Sequence, residues 1–231
     1  MIKGFSLLEI LVVLALMSVL LPMIISSVVA STRCSQKVIN NQQRMEAIFH
    51  TVDTIRSDLT KCGMRLQEAS HTFGFPMFEH SDQSLKVRYG VDQEPLTNDS
   101  WKGDKEIFVN RNDFFTKRKQ VLIYDADSGQ YEFNEIKNRD GDCLILSSHL
   151  QNNYAKNAVA VVIKQVEYKI YLKQKALKRK VNKGYFQPLI EEVTDFHVKF
   201  YPESSSVFYR IEINHKEQVK GYIFLVNMVE K

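Results

Sequence analysis

Residues 1–25 read MIKGFSLLEILVVLALMSVLLPMII, and the fold turns on how Glu9 is understood. Glu9 is the only charged residue between Lys3 and Arg33, in a run that is mainly apolar from Phe5 to Ala30. About 26 residues at about 1.5 Å each exceed the ~30 Å hydrocarbon core of a bilayer. An isolated acid inside that core costs roughly 2.5–3.5 kcal/mol on insertion scales, so Glu9 calls for an opposite charge. A secretory signal peptide would suit the small residues Val28, Val29 and Ala30 before Ser31. Its apolar region, however, is normally about 7–15 residues long and carries no acid. A plain anchor accounts for the length and leaves Glu9 unexplained.

Outward from this run, the composition turns polar after Ser31 while the helical pattern continues. Val38, Met45, Ile48, Phe49, Val52, Ile55, Leu59, Cys62 and Leu66 recur every three or four positions, and no proline occurs between Met23 and Phe75. That spacing predicts a one-sided amphipathic helix. The helix is expected from Phe5 to about Glu68, its second half packed on a globular head. Four segments follow: 1–4, a short cationic leader; 5–30, apolar helix; 31–70, amphipathic helix; and 71–231, a β-rich head.

Alternation predicts strands in the head at Leu85–Tyr89, Glu106–Val109, Val121–Tyr124, Tyr131–Ile136 and Cys143–Leu146. Further strands are expected at Val159–Ile163, Val166–Leu172, Leu177–Val181, Val193–Tyr201, Val207–Ile213 and Gly221–Val229. Short strands with tight turns imply antiparallel pairing, so the fold class is α+β: a long N-terminal helix on an antiparallel sheet head. The loop QEPLTNDSWKGD carries the only tryptophan, Trp101, read as a partly buried loop anchor. DADSG (125–129) and NRDGD (138–142) have the acids of a calcium loop, but the first lacks the acid such a loop needs at its twelfth position. Both are read as hairpin turns.

GFSLLE followed by the apolar run closely resembles the prepilin signal of type IV pilins and type II secretion pseudopilins. The resemblance implies cleavage after Gly4 by a membrane-embedded prepilin peptidase and N-methylation of Phe5. It also implies that Glu9 faces the amino terminus of a neighbouring subunit during assembly. Two opposite charges attract strongly at low dielectric, where either alone is penalised. Lys3 orients such a segment with its N-terminus in the cytoplasm. Pro22 is tolerated inside a helix of this kind. NKGYFQPLIEEVTDFHVKFYP (182–202) and IRSDLTKCGMRL (55–66) are similar to segments of J-type minor pseudopilins and W-type minor pilins. That likeness implies a subunit of a filament tip or initiation complex, made in the bacterial inner membrane with a periplasmic head. Its expected partners are other pilins, the prepilin peptidase and the inner-membrane assembly platform; no cofactor is implied.

The remaining residues set the alternatives. Net charge is +4, too weak by itself to argue for nucleic acid. A basic run, with Lys178, Arg179 and Lys180 at its centre, reads either as a phosphate-binding hairpin for DNA uptake or surface adhesion, or as a solvated hairpin face. No aromatic residues interleave it for base stacking. Cys34 and Cys62 lie about 42 Å apart on one continuous helix and cannot pair. Cys62 and Cys143 are compatible with a disulfide where helix crosses sheet, and equally with two buried thiols. The six histidines show no metal-ligand spacing, and no nucleophile elbow, P-loop or zinc signature occurs. No metal site and no enzymatic activity are expected.

Overall fold

A computed structural model of the protein describes residues 7–228 except positions 82, 111–112 and 216. The fold is α+β, a long N-terminal helix followed by antiparallel sheets. Contacts divide the chain into two units at His50/Thr51. Helix α1 (Leu7–Thr60) makes up the described part of the first unit and gives its last turns, from Thr51, to the second. It runs through Pro22 without interruption.

Among the described residues of the second unit, nine strands form one sheet and three form another, all neighbours antiparallel. The large sheet contains β1 (Phe78–Ser81), β2 (Ser84–Pro95), β3 (Glu106–Phe108), β4 (Gln120–Asp125), β5 (Gln130–Asp140), β6 (Cys143–Leu146), β7 (Val159–Tyr171), β8 (Ala176–Val181) and β9 (Gln187–Glu191). Its main order is β1-β2-β7-β4-β5-β6-β3. The small sheet is β10 (Val193–Tyr201), β11 (Ser206–Ile213) and β12 (Glu217–Phe224).

Strand β7 organises the large sheet. One edge pairs with β2 from Val159 to Lys169. The other is shared, β4 holding Val159–Ile163 and β8 holding Val166–Tyr171. The sheet therefore forks at Lys164 and Gln165. Asn182, with φ at 51°, closes the fork: its Oδ1 accepts the Gln165 N–H at 2.8 Å, and its own N–H donates to the Gln165 carbonyl at 2.7 Å.

Period-two alternation puts Val162, Lys164, Val166, Tyr168 and Ile170 of β7 on one face. Over Val166 and Tyr168 lies the end of α1, where Ile55, Leu59 and Cys62 are fully buried. Over Ala160 and Val162, on the same face, a second core gathers Ile107, Phe115, Val121, Ile123, Leu144 and Tyr154. Cover from two different elements thus meets along a single strand.

α1 stops at Thr60, short of the expected Glu68. The cause is a tertiary contact with β2. Gly63 and Arg65 take left-handed φ values of 74° and 58°, a region open to glycine without strain. The Gly63 N–H donates to the Arg88 carbonyl at 3.0 Å, and the Gly90 N–H donates to the Met64 carbonyl at 2.8 Å. These bonds to the edge of β2 replace helical ones. The chain then passes round that edge into α2 (Gln67–Phe73). There Tyr124 donates to Glu68 at 2.9 Å, and Phe75 packs 5.3 Å from Phe133. By register, Tyr124 and Phe133 lie on the sheet face opposite Tyr168.

Two hairpins share one build. Between β7 and β8 a 3-10 turn (Leu172–Gln174) ends in left-handed Lys175, and between β10 and β11 another (Pro202–Ser204) ends in left-handed Ser205. DADSG and Asp140–Cys143 form hairpin turns, the first with the Asp127 N–H donating to Asp125 Oδ1 at 3.1 Å.

Gly90 is where the turn and β2 approach most closely. A Cβ there would lie 2.7 Å from Val161 Cγ1 and 2.9 Å from Arg65 Cβ. Gly90→Ala is expected to destabilise the protein by about 1–3 kcal/mol, as overpacking does. Urea unfolding of the detergent-solubilised chain checks this, and an unchanged midpoint would contradict the close approach.

Candidate functional site

The N-terminal helix is the first candidate. Gly4 and Phe5 lie outside the described residues. Glu9 lies in the first turn of α1, where a carboxylate favours the positive end of the helix dipole. Every residue from Leu7 to Gln43 is exposed. Between Leu7 and Val29 these include seventeen large apolar side chains, each 41–79% exposed. Burying them in a nonpolar phase would release on the order of 20 kcal/mol or more. The segment also satisfies its own hydroxyls: Ser18, Ser26 and Thr32 donate to the carbonyls of Ala15, Met23 and Val28 at 2.7, 2.9 and 2.9 Å. By length and composition α1 is able to cross a membrane.

The basic hairpin of β8 is the second candidate, and alternation divides it. Lys178 and Lys180 point to one face, Arg179 to the other. Lys178 Nζ lies over the Tyr171 ring at 4.7 Å. Lys180 pairs with Glu167 at 2.9 Å and sits 4.8 Å over the Phe186 ring. Arg179 turns inward to Asp58 of α1, its Nε donating to Oδ2 at 2.9 Å with Nη2 at 2.8 Å. The hairpin is therefore not a uniformly solvated face. Aromatic side chains absent from the run itself are supplied by its neighbours, and Tyr185, between β8 and β9, is 93% exposed.

Asp58 was not marked as a site by its sequence. Its side chain is 5% exposed. Tyr168 donates to its Oδ2 at 2.5 Å and Tyr89 to its Oδ1 at 3.5 Å, beside the Arg179 fork. Its position, three residues after Ile55 and four before Cys62, is the available signal: an acid on the buried stripe. Burial, followed by the Asp58 charge and hydrogen bond, pushes the Tyr168 phenol far above its ordinary value. The same causes push Tyr89 up to about 12. For Arg179 burial works against the charge, but the Asp58 bond and charge win and the pKa rises.

The structure does not pair Cys62 with Cys143; both are free, as is Cys34. Cys62 is buried near the Met77 carbonyl (3.4 Å) and Met228 Sδ (3.8 Å). Cys143 opens β6 opposite Phe108 and Asp140. Burial pushes the Cys62 thiol up to about 12. Burial and the charges of Glu106 and Asp140 also raise Cys143. Both thiols stay protonated at neutral pH, the opposite of an activated nucleophile. Among the described residues, no three His, Cys, Asp or Glu side chains gather to hold a metal ion.

Trp101 is 61% exposed, not the partly buried loop anchor expected. Its loop is held by backbone instead: Trp101 N–H to Asp104 Oδ2 at 2.8 Å, Lys102 N–H to Asn153 Oδ1 at 2.8 Å, and Gly103 N–H to the Leu150 carbonyl at 2.9 Å.

Fold and helix together define an α+β protein whose N-terminal helix is long and apolar enough to cross a membrane. No protein-family model and no curated protein matches the chain. Among solved structures it is similar to the Gp54 tailspike of Acinetobacter baumannii bacteriophage AP22 in complex with A. baumannii capsular saccharide, at 16% identity and a TM-score of 0.30. That likeness covers 34% of this chain and 15% of the tailspike.

Asp58→Asn, which strands the Arg179 charge, is expected to destabilise the protein by about 2–4 kcal/mol, while replacing both partners by leucine recovers most of the loss. Thermal melting of Asp58→Asn, and a cycle over Asp58→Leu, Arg179→Leu and the double leucine variant, checks the coupling. The phenols give a pH signature. Because the folded pKa of Tyr168 lies above its unfolded value near 10, its contribution is complete below about pH 10 and is lost as pH rises further. Tyr168→Phe should flatten the fall in stability above pH 10, as read by urea midpoints from pH 8 to 11.

Proposed function

We propose that the chain is a minor pilin or pseudopilin, a structural subunit of a type IV-like filament in a type II secretion or type IV pilus system. In this reading the prepilin peptidase removes the leader behind Gly4, and Phe5 becomes the N-methylated first residue. The precursor waits in the bacterial inner membrane with its N-terminus cytoplasmic and its head periplasmic. Assembly transfers the apolar helix from lipid into a bundle of neighbouring helices, and the subunit belongs to the tip or initiation complex.

The observation that carries this reading is an acid in the first turn of an exposed, membrane-competent helix that leads into a β-rich head. In such surroundings Glu9 sets register by meeting the positive amino terminus of an adjacent subunit. The attraction is strong because the dielectric is low, and it selects one axial offset between helices. Nothing in this role is turnover; the chemistry is assembly.

A binding role for the head is the second reading, favoured by one observation. Tyr185 is almost fully exposed beside a hairpin that carries Lys178 and Lys180 on one face, so a pilus-borne or membrane-anchored module would have an aromatic and cations to offer DNA or a surface. With Arg179 and Lys180 already in ion pairs, this contact would lean on Lys178 and Tyr185.

Glu9→Gln is expected to be processed normally, with Phe5 as the first residue by N-terminal sequencing, yet to enter filaments at least tenfold less well. Quantifying the variant against wild type in sheared filaments checks this. Equal incorporation would remove the electrostatic account, and a mature N-terminus at Ser31 would replace the reading with a cleaved signal peptide.

A further inference from the structure

The fork in the large sheet opens a cleft of about 460 Å³ on the face shared by the two covers. β7 reaches it at Lys164, one alternation beyond Val162 and one before Val166, at the point where neither cover closes over the strand. β2 contributes Tyr89, directly opposite Lys164. Lys119 precedes β4, and Asn182 follows β8. The turn after α1 adds Lys61 and Met64. Lys119 and Asn182 come together through the parting of β4 and β8 along β7, and the turn after α1 is brought in by its bonds to β2.

The lining holds three lysines and no aspartate or glutamate. Lys61 donates to Ser57 Oγ at 3.3 Å, and Lys164 lies 5.7 Å over the Tyr89 ring. Among the described residues, none of the three makes an ion pair, and the nearby Asp58 is committed to Arg179, Tyr168 and Tyr89. Partial burial pulls the Lys164 pKa down; Asp58 opposes this, while Arg179, Lys61 and Lys119 pull further in the same direction. The site is electrostatically short of negative charge. Asn182 uses its side-chain oxygen on the Gln165 N–H, leaving its amide nitrogen to donate.

We propose that this cleft binds a phosphate group carried by a small molecule, with Lys61, Lys119 and Lys164 as counter-charges and Asn182 as a neutral donor. Lysine ammonium groups bind phosphate as point charges, and three of them converge here without a carboxylate in the lining. A phosphomonoester brings about −1.5 to −2 charges at neutral pH, enough to answer most of the local excess. The cleft is in the size range of small-molecule sites, and Tyr89, Met64 and Val162 give an organic body an apolar wall. This inference concerns the head alone and stands or falls separately from filament assembly.

The test is titration calorimetry on the full chain in detergent at constant ionic strength, with inorganic phosphate, glycerol 3-phosphate and a glutamate-rich peptide as probes. Saturable one-to-one binding of the ester, at least tenfold tighter than inorganic phosphate, is expected. Equal affinity for the two would keep the phosphate site and assign it to the free anion. Lys119→Gln and Lys164→Gln should each weaken binding at least tenfold, as should Lys61→Gln at an exposed position. Lys220→Gln, exposed on β12 and away from the cleft, should leave it unchanged. Melting midpoints within a few degrees of wild type show that the variants are folded. Binding that none of the cleft variants alters would overturn the proposal, as would chloride competing as well as phosphate. Tighter binding of the peptide would overturn it in favour of an acidic protein partner.

Discussion

A carboxylate held against the apolar face of a sheet joins helix to sheet in this molecule. Asp58 leaves the buried stripe of α1 and meets Arg179 and Tyr168, 121 and 110 positions further along the chain. Removing such a charge from water is expensive, and only good geometry with enough donors offsets it. Two Arg179 nitrogens and two phenols supply them here. The bonds fix the rotation of the last helical turns over β7 and β8 more tightly than apolar packing, which has no direction, would. With that rotation set, Leu59 and Cys62 face the sheet, Gly63 arrives at β2, and the chain has one route round the strand edge.

The same constraint shapes the fork. Because α1 ends over β8 and the second core gathers over β4, the shared strand β7 is covered twice, with a gap between. Lys164 and Asn182 occupy the gap, while Val162 and Val166 on either side are buried. Asn182 repairs the backbone pairing that neither β4 nor β8 can give Gln165. A topological irregularity thus becomes a place where lysines gather, which a sheet with one continuous cover would not permit.

Much of this fold was legible in the sequence, and the parts that were not have physical reasons. The apolar run marks α1, which is long and apolar enough to cross a membrane, and central strands show themselves by alternation. β1 and β9 carry little signal: among the described residues each pairs with one strand, and FEHS and QPLIE have no clear period, the second including Pro188. Lys164 and Gln165 divide the expected strands Val159–Ile163 and Val166–Leu172, yet they lie within one strand, at its fork. The end of α1 could not be read because Gly63 answers to β2, distant in sequence. Arg179 was hidden in a cationic run, although period two already separates it from Lys178 and Lys180. Of the candidate site, Glu9 stood out because its neighbours are apolar, whereas Asp58 sat among ordinary polar residues, and its partners come from folding alone.

Glu9 and Asp58 lie on one helix and raise the same electrostatic problem under different rules. Asp58 is answered within its own chain, so its geometry is complete in the single subunit and its loss should appear as lost stability. For Glu9 the proposed answer is an amine on another copy or another subunit, so its effect should appear in assembly and not in the melting of an isolated chain. On the proposed reading, a helix carrying both kinds of acid would separate folding from polymerisation. Asp58 is fixed by Arg179 and Tyr168 of the same chain, so the head would need no neighbour to fold. The energy of a Glu9–amine encounter would then go into setting register between subunits and none of it into completing the fold.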